Sequence, residues 1–299
     1  MAHFEPSTSF RDRIFDAANY IILTLFFLAV AYPLYFVIIA SFSDPNMVNA
    51  GNVWVLPKGI TFLGYKKILE DSSIWIGYRN TVLYTIFGTA LNLVFTLSAA
   101  FVLSRKKLIG RTLFMGFILF TMLFSGGLIP RYLLVRDLGM LNTVWAMVIP
   151  KLVLVWNLII ARTFFQNTIP EELQEAAVMD GCSNLRFFIS IALPLSTALI
   201  SVMVLFYAVS HWNSFFDALI FIKNRDLYPL QIILREILIQ NQMTTDMLAE
   251  DMDSLADQQL MGDLIKYGTI IIASAPLLIL YPFLQKYFVK GVMIGAIKG

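Results

Sequence analysis

Cysteine is nearly absent: Cys182 is the single one in 299 residues. One thiol makes no disulfide within the chain and no cysteine-only metal cluster. Histidine occurs twice, as His3 and His211, too far apart in sequence to suggest a His-based metal site. Charged residues are scarce, at 14%, where a soluble domain carries about 25%. No Gly-x-x-x-x-Gly-Lys-Ser/Thr phosphate loop is present, which excludes nucleotide hydrolysis by that machinery. No basic run suits a nucleic-acid backbone, and the net charge of +2 argues neither way. There is also no recognisable nucleophile–base pair, so a membrane enzyme finds no support.

What the chain has instead is apolar surface. It is 58% hydrophobic with a mean hydropathy of +0.73. No single water-soluble core hides that much, so the solvent is a bilayer. A span takes about 20 apolar residues, and six segments qualify: 17–41, 77–104, 112–134, 141–164, 195–222 and 267–289. The first run is too long for a cleavable signal core of about 7–15 residues and has no clear small-x-small cleavage site, so it reads as a retained span. The expected fold is an all-α membrane protein with six transmembrane helices. Residues 1–16 form a tail and 17–299 a single transmembrane domain, with five core helices over 77–289.

Six spans put both termini on one side. The short loop holding Arg105, Lys106, Lys107 and Arg111 carries four positive charges and no acid, the clearest inside signal. The full tally is close, eleven Lys and Arg inside against ten outside, so the short loop decides the N-in, C-in assignment. Two outside segments are long. The second, 223–263, carries eight acidic residues against three basic ones, and is either a solvated loop or a docking surface for an external partner. Prolines at 33, 130, 150, 276 and 282 lie in or beside spans, where neighbouring helices can satisfy the freed carbonyls.

Between the fourth and fifth spans, 165–194, lies a polar segment reading EELQEAAVMDGCSNLRFFISIALP from Glu171 to Pro194. Thr168 with Glu171 spells a capping box, and Pro170 suits a first turn. Leu173, Ala176 and Ala177 fall on one helical face, shallow enough for close approach. Glu172, Glu175 and Asp180 are left for water or a basic partner, and Gly181 can end the helix in a left-handed conformation.

This segment, with Asp180-Gly181 and Ile191-x-Leu193-Pro194 at matching spacing, resembles the EAA loop of ABC-importer permeases. So do Arg79-Asn80-Thr81, FSGGLIP at 124–130, Leu138-Gly139 with Leu141-Asn142-Thr143, and the end Gly291 with Gly295-Ala296-Ile297-Lys298-Gly299. The resemblance covers nearly the whole chain. It is greatest to maltose-permease-like subunits, in the branch for polysaccharide fragments such as alginate- or pectin-derived sugars. It implies a type I importer-permease fold in a bacterial cytoplasmic membrane, with no cofactor on this chain. It also implies a heterodimer with a sister permease, two ATPase subunits carrying ATP and Mg, and an external solute-binding protein. Glu172, Glu175, Ala176, Ala177, Asp180, Gly181, Leu193 and Pro194 would meet the ATPase, as would the tail at Gly295, Lys298 and Gly299.

Sugar sites combine aromatic faces with a few placed polar groups. Candidates along the path are Asn92, Asn157, Trp212, Asn213 and Asp217. Lys151 is the sharpest anomaly, because a mid-membrane lysine costs roughly 2.5–3.5 kcal/mol and faces a cavity or an ion partner. It either counters the carboxylate of an acidic sugar, pairs internally with Asp217, or snorkels. The rival function is an ion-coupled secondary transporter. Against it, no acid lies deep in a span except Asp217, near an outer end.

Overall fold

The computed structural model describes residues 10–247, 262, 265–279 and 281–282. All regular structure among them is helical. The helices are α1 (Phe10–Ser41), α2 (Pro45–Asn49), α3 (Leu63–Glu70), α4 (Ser72–Ser104), α5 (Arg111–Leu123), α6 (Leu128–Asp137), α7 (Val144–Val148), α8 (Val155–Thr168), α9 (Glu171–Met179), α10 (Asn184–Phe187), α11 (Leu193–Leu195), α12 (Thr197–Trp212), α13 (Phe216–Phe221) and α14 (Leu230–Met247). A last one, α15 (Ile265–Ile279), is shorter but apolar. The chain divides into two compact units, with boundaries at 70/71, 237/238 and 272/273.

Among the described residues, only α1 and α4 are long and apolar enough to cross a membrane unaided, and the count rises to five if each of three bent pairs is one span. The segments expected as continuous third, fourth and fifth spans are broken. α5 and α6 meet at 113°, the α7 stretch and α8 at 51°, and the Asn184–Leu195 stretch and α12 at 84°. The causes are local. Gly127 sits at φ 84, ψ 178, a conformation that side chains disfavour, between α5 and α6. Pro150, in a 3₁₀ turn after α7, cannot continue an α-helical ladder. Pro194 follows a π turn over Phe188–Ala192. Within the expected fifth span, α12 ends at Trp212 and α13 begins only at Phe216. The expected sixth span is described only over α15 and Tyr281–Pro282.

In the first unit, α1 starts at Phe10, well before the expected span, and none of its most apolar window is buried. Ile39 and Ala40 at its end form a small core with Val48 and Val53. The segment after it is ordered: Asp44 caps α2 by accepting from the Asn46 amide (2.8 Å). The Tyr65 hydroxyl of α3 donates to Ser41 Oγ (2.8 Å).

The second unit is built on α4, which packs against α8 and α12. Its contact side is small or polar: Gly88, Asn92, Thr96 and Ala100. Gly88 is required by its neighbour, since a Cβ there would lie 2.4 Å from His211 Nε2. The broken spans leave backbone groups that a bilayer cannot satisfy, and side chains of the neighbouring helices supply the partners. Asn92 Nδ2 donates to the carbonyls of Lys151 (2.5 Å) and Leu152 (2.9 Å). The Leu154 amide donates to the Tyr207 hydroxyl (3.3 Å), which also meets Thr96 Oγ1 (2.6 Å).

Near its start, α4 clamps the segment leading into α14. Asn80 Nδ2 donates to the carbonyls of Asp226 (2.7 Å) and Tyr228 (3.0 Å). The Tyr84 hydroxyl donates to Leu227 O (2.8 Å), and Thr81 Oγ1 accepts the Leu230 amide (2.8 Å). The Asn80-Thr81 pair therefore works as a backbone anchor.

Candidate coupling element and buried charge cluster

α9 rests on a shared core by a narrow foot. Ala177 is its one buried residue and joins a cluster with Phe101, Phe165 and Phe187. Leu173 and Ala176, expected on the same helical face as Ala177, are exposed. Val178, Met179, Leu185 and Ile189 are exposed as well, Met179 at 87%.

The start of α9 differs from the expected capping box. α8 runs on through Thr168, so that residue is helical, and Pro170 takes the N-cap position with no side-chain cap. The free first-turn amides face Glu171 and Glu172, whose charge suits a helix N-terminus. The end of α9 is as expected and more complete. Gly181 has φ 75, its amide donates to Val178 O (3.0 Å), and the Cys182 amide reaches back to Ala177 O (2.9 Å). These two bonds make a Schellman motif. Cys182 packs against the cluster that holds Ala177, which gives the lone cysteine a structural place.

The acids of α9 meet the basic loop after α4. Lys107 Nζ lies 2.9 Å from Glu175 Oε1, and Lys106 Nζ 3.7 Å from Glu171 Oε2. The hydrogen bond from Lys107 holds the Glu175 carboxyl below the usual range and raises the Lys107 ammonium above its own. Arg105 lies over the rings of Phe101 (4.3 Å) and Phe187 (5.8 Å), and burial lowers its pKa. Between α9 and this loop runs a groove of about 710 Å³, walled by Phe101, Arg105, Lys107, Glu171, Glu175 and Met179. Glu172 and Asp180 are exposed. Leu193 packs half-buried against the core while Pro194 is exposed. The basic loop signalled orientation in the sequence. Its pairing with α9 was not foreseen.

The expected path residues divide. Asn92 is fully buried, its amide engaged by the Lys151 and Leu152 carbonyls and its Oδ1 by His211 Nε2 (2.8 Å). Its place is to hold the break before α8. Asn157 is buried, and Trp212 is buried with Nε1 donating to Ala273 O (3.0 Å), so its ring is a packing element. Asn213 is exposed, with its amide on Val209 O (2.9 Å). Lys151 Nζ pairs with Asp217 Oδ2, the internal partner named for it above. Arg131, a residue that no sequence motif singles out, joins them, with Nη2 3.1 Å from Asp217 Oδ1. One carboxylate thus lies between two cations. Gly295, Lys298 and Gly299 lie outside the described residues.

No protein-family model matches the chain. Among curated proteins, it is 38% identical to Protein LplC of Bacillus subtilis (strain 168) over 96% of each chain. It is also 38% identical to the polygalacturonan/rhamnogalacturonan transport system permease protein YtcP of the same organism, over 97% of this chain and 100% of that one. Among solved structures it matches a chain of a bacterial ABC transporter involved in the import of the acidic polysaccharide alginate. The TM-score is 0.84, with 32% identity over 95% of this chain and 99% of that one.

Proposed function

The chain belongs to the permease subunits of ABC sugar importers, and from that footing we propose that it forms half of a heterodimeric translocation path driven through α9. Family membership implies a partner permease, an ATPase and a solute-binding protein. The reading places this chain in a bacterial cytoplasmic membrane, beside a sister permease and above two ATPase subunits that carry ATP and Mg. The external protein delivers an oligosaccharide to the pair. An ion-coupled secondary transporter is not favoured.

The observation that carries the reading is α9 itself: an exposed helix, apolar side chains such as Met179 included, held by Ala177 and stopped by Gly181. A helix so lightly seated can be gripped and moved as a unit by a soluble partner. ATP binding then favours one state of the bundle over the other, which is a difference in affinity between two states. The relatives named for polygalacturonan/rhamnogalacturonan and for alginate handle uronic-acid polymers, and we extend that substrate class to this chain.

Coexpression with the neighbouring permease and ATPase genes tests the proposal. The complex is expected to purify as one species and to take up oligosaccharide into proteoliposomes only with ATP. Deleting 176–181 should leave a membrane-inserted chain that neither retains the ATPase nor supports uptake. Undiminished uptake after that deletion sinks the coupling role.

A further inference from the structure

We infer that Lys151 and Arg131, on either side of Asp217, form a carboxylate-binding subsite of the path, selective for oligosaccharides bearing uronic acids. The inference rests on the permease reading and names the residues that would recognise its substrate.

The argument begins with charge. Two cations share one carboxylate, so the cluster carries a net +1 inside a segment where an uncompensated charge is costly. Geometry decides which sign faces outward. The Asp217 side chain is 4% exposed, whereas those of Lys151 and Arg131 are 25% and 37% exposed. The open part of the cluster is therefore cationic, with the carboxylate behind it. A neutral sugar gains nothing from the excess charge, and a uronate gains charge-assisted hydrogen bonds.

The cations are also fixed in place. Arg131 lies over the Phe221 ring at 5.5 Å, and Tyr132 stacks on the same ring at 6.4 Å. Lys151 sits in the 3₁₀ turn whose carbonyl Asn92 holds. Asp217 fixes the spacing of the two and supplies a carboxylate for which a substrate carboxylate can exchange.

Charge counting gives the test. Proteoliposomes holding the full transporter are assayed for ATP-dependent uptake of trigalacturonate, delivered by the loaded external protein, with a neutral arabino-oligosaccharide as second probe. Lys151→Met leaves Asp217 paired with Arg131 and the cluster neutral, so trigalacturonate uptake should fall at least tenfold. The double variant Lys151→Met/Asp217→Asn restores +1 and should recover most of it. Lys151→Arg should stay near wild type, and all three should retain the ATPase on purification. A purely structural ion pair gives the other order: Lys151→Met close to wild type, because Asp217 keeps Arg131, and the double variant no better. That order, or wild-type uptake of only the neutral probe, overturns the carboxylate subsite and leaves the permease reading intact. Wild-type vesicles that take up neither probe with ATP overturn the uronate substrate class and the subsite with it, whereas a complex that never retains the ATPase overturns the permease reading instead.

Discussion

α9 and the Lys151–Asp217–Arg131 cluster both pair lysines with acids, yet they sit at opposite extremes of burial. Lys107 and Glu175 meet in full solvent, where a pair contributes little and parts easily. Lys151 and Arg131 share Asp217 where the carboxylate is almost wholly buried, so removing Asp217 strands both cations. The exposed acids suit a surface that exchanges partners during a cycle. The buried group suits a site whose geometry must persist.

The contrast breaks most severely at Asp217. Asp217→Ala leaves two cations unopposed and should destabilise the complex by about 3–5 kcal/mol, seen as a lowered thermal midpoint in detergent or as lost assembly. Next comes Gly88→Ala, which drives a methyl into the His211 ring and should cost about 1–3 kcal/mol by overpacking. Gly181→Val should be milder for the fold, about 1–2 kcal/mol of left-handed strain, but should uncouple ATP hydrolysis from uptake. If it lowers the thermal midpoint as far as Asp217→Ala does, α9 is no lightly held element.

The smallest effect belongs to Lys107→Gln, which should leave the thermal midpoint unchanged. Its signature is in titration. The Glu175 carboxyl is depressed by Lys107, so the attraction is present above the ordinary carboxylate range and fades as pH falls through the depressed value. At the alkaline end it fades only above the ordinary lysine range, because Lys107 is raised. A carboxyl titration by NMR should show Glu175 moving back toward the ordinary value in the variant.

Local signals carried furthest in the sequence. Gly181 announced the end of α9 because only glycine takes that backbone cheaply, and the apolar runs announced where spans lie. Thr168 misled, because capping strength is local whereas the length of α8 is set by packing against α4. The interruption of the third span was written in Ser125-Gly126-Gly127 but masked by apolar neighbours. Long-range partners were illegible. Nothing near Arg131 in the chain points to Asp217, and Asn92 looked like a sugar ligand until the break at Lys151 placed carbonyls beside it.

Two long helices, α1 and α4, run without a break, and α4 is the one that carries the second unit. α4 runs unbroken for 33 residues, a strut of roughly 50 Å. Its outer turns are tied through Asn80, Thr81 and Tyr84 to the backbone of 226–230, and its far end, at Phe101, borders the groove under α9. The three bent pairs have joints that this helix lacks. The 226–230 turn and the groove beside α9 are thus held at the two ends of one rod.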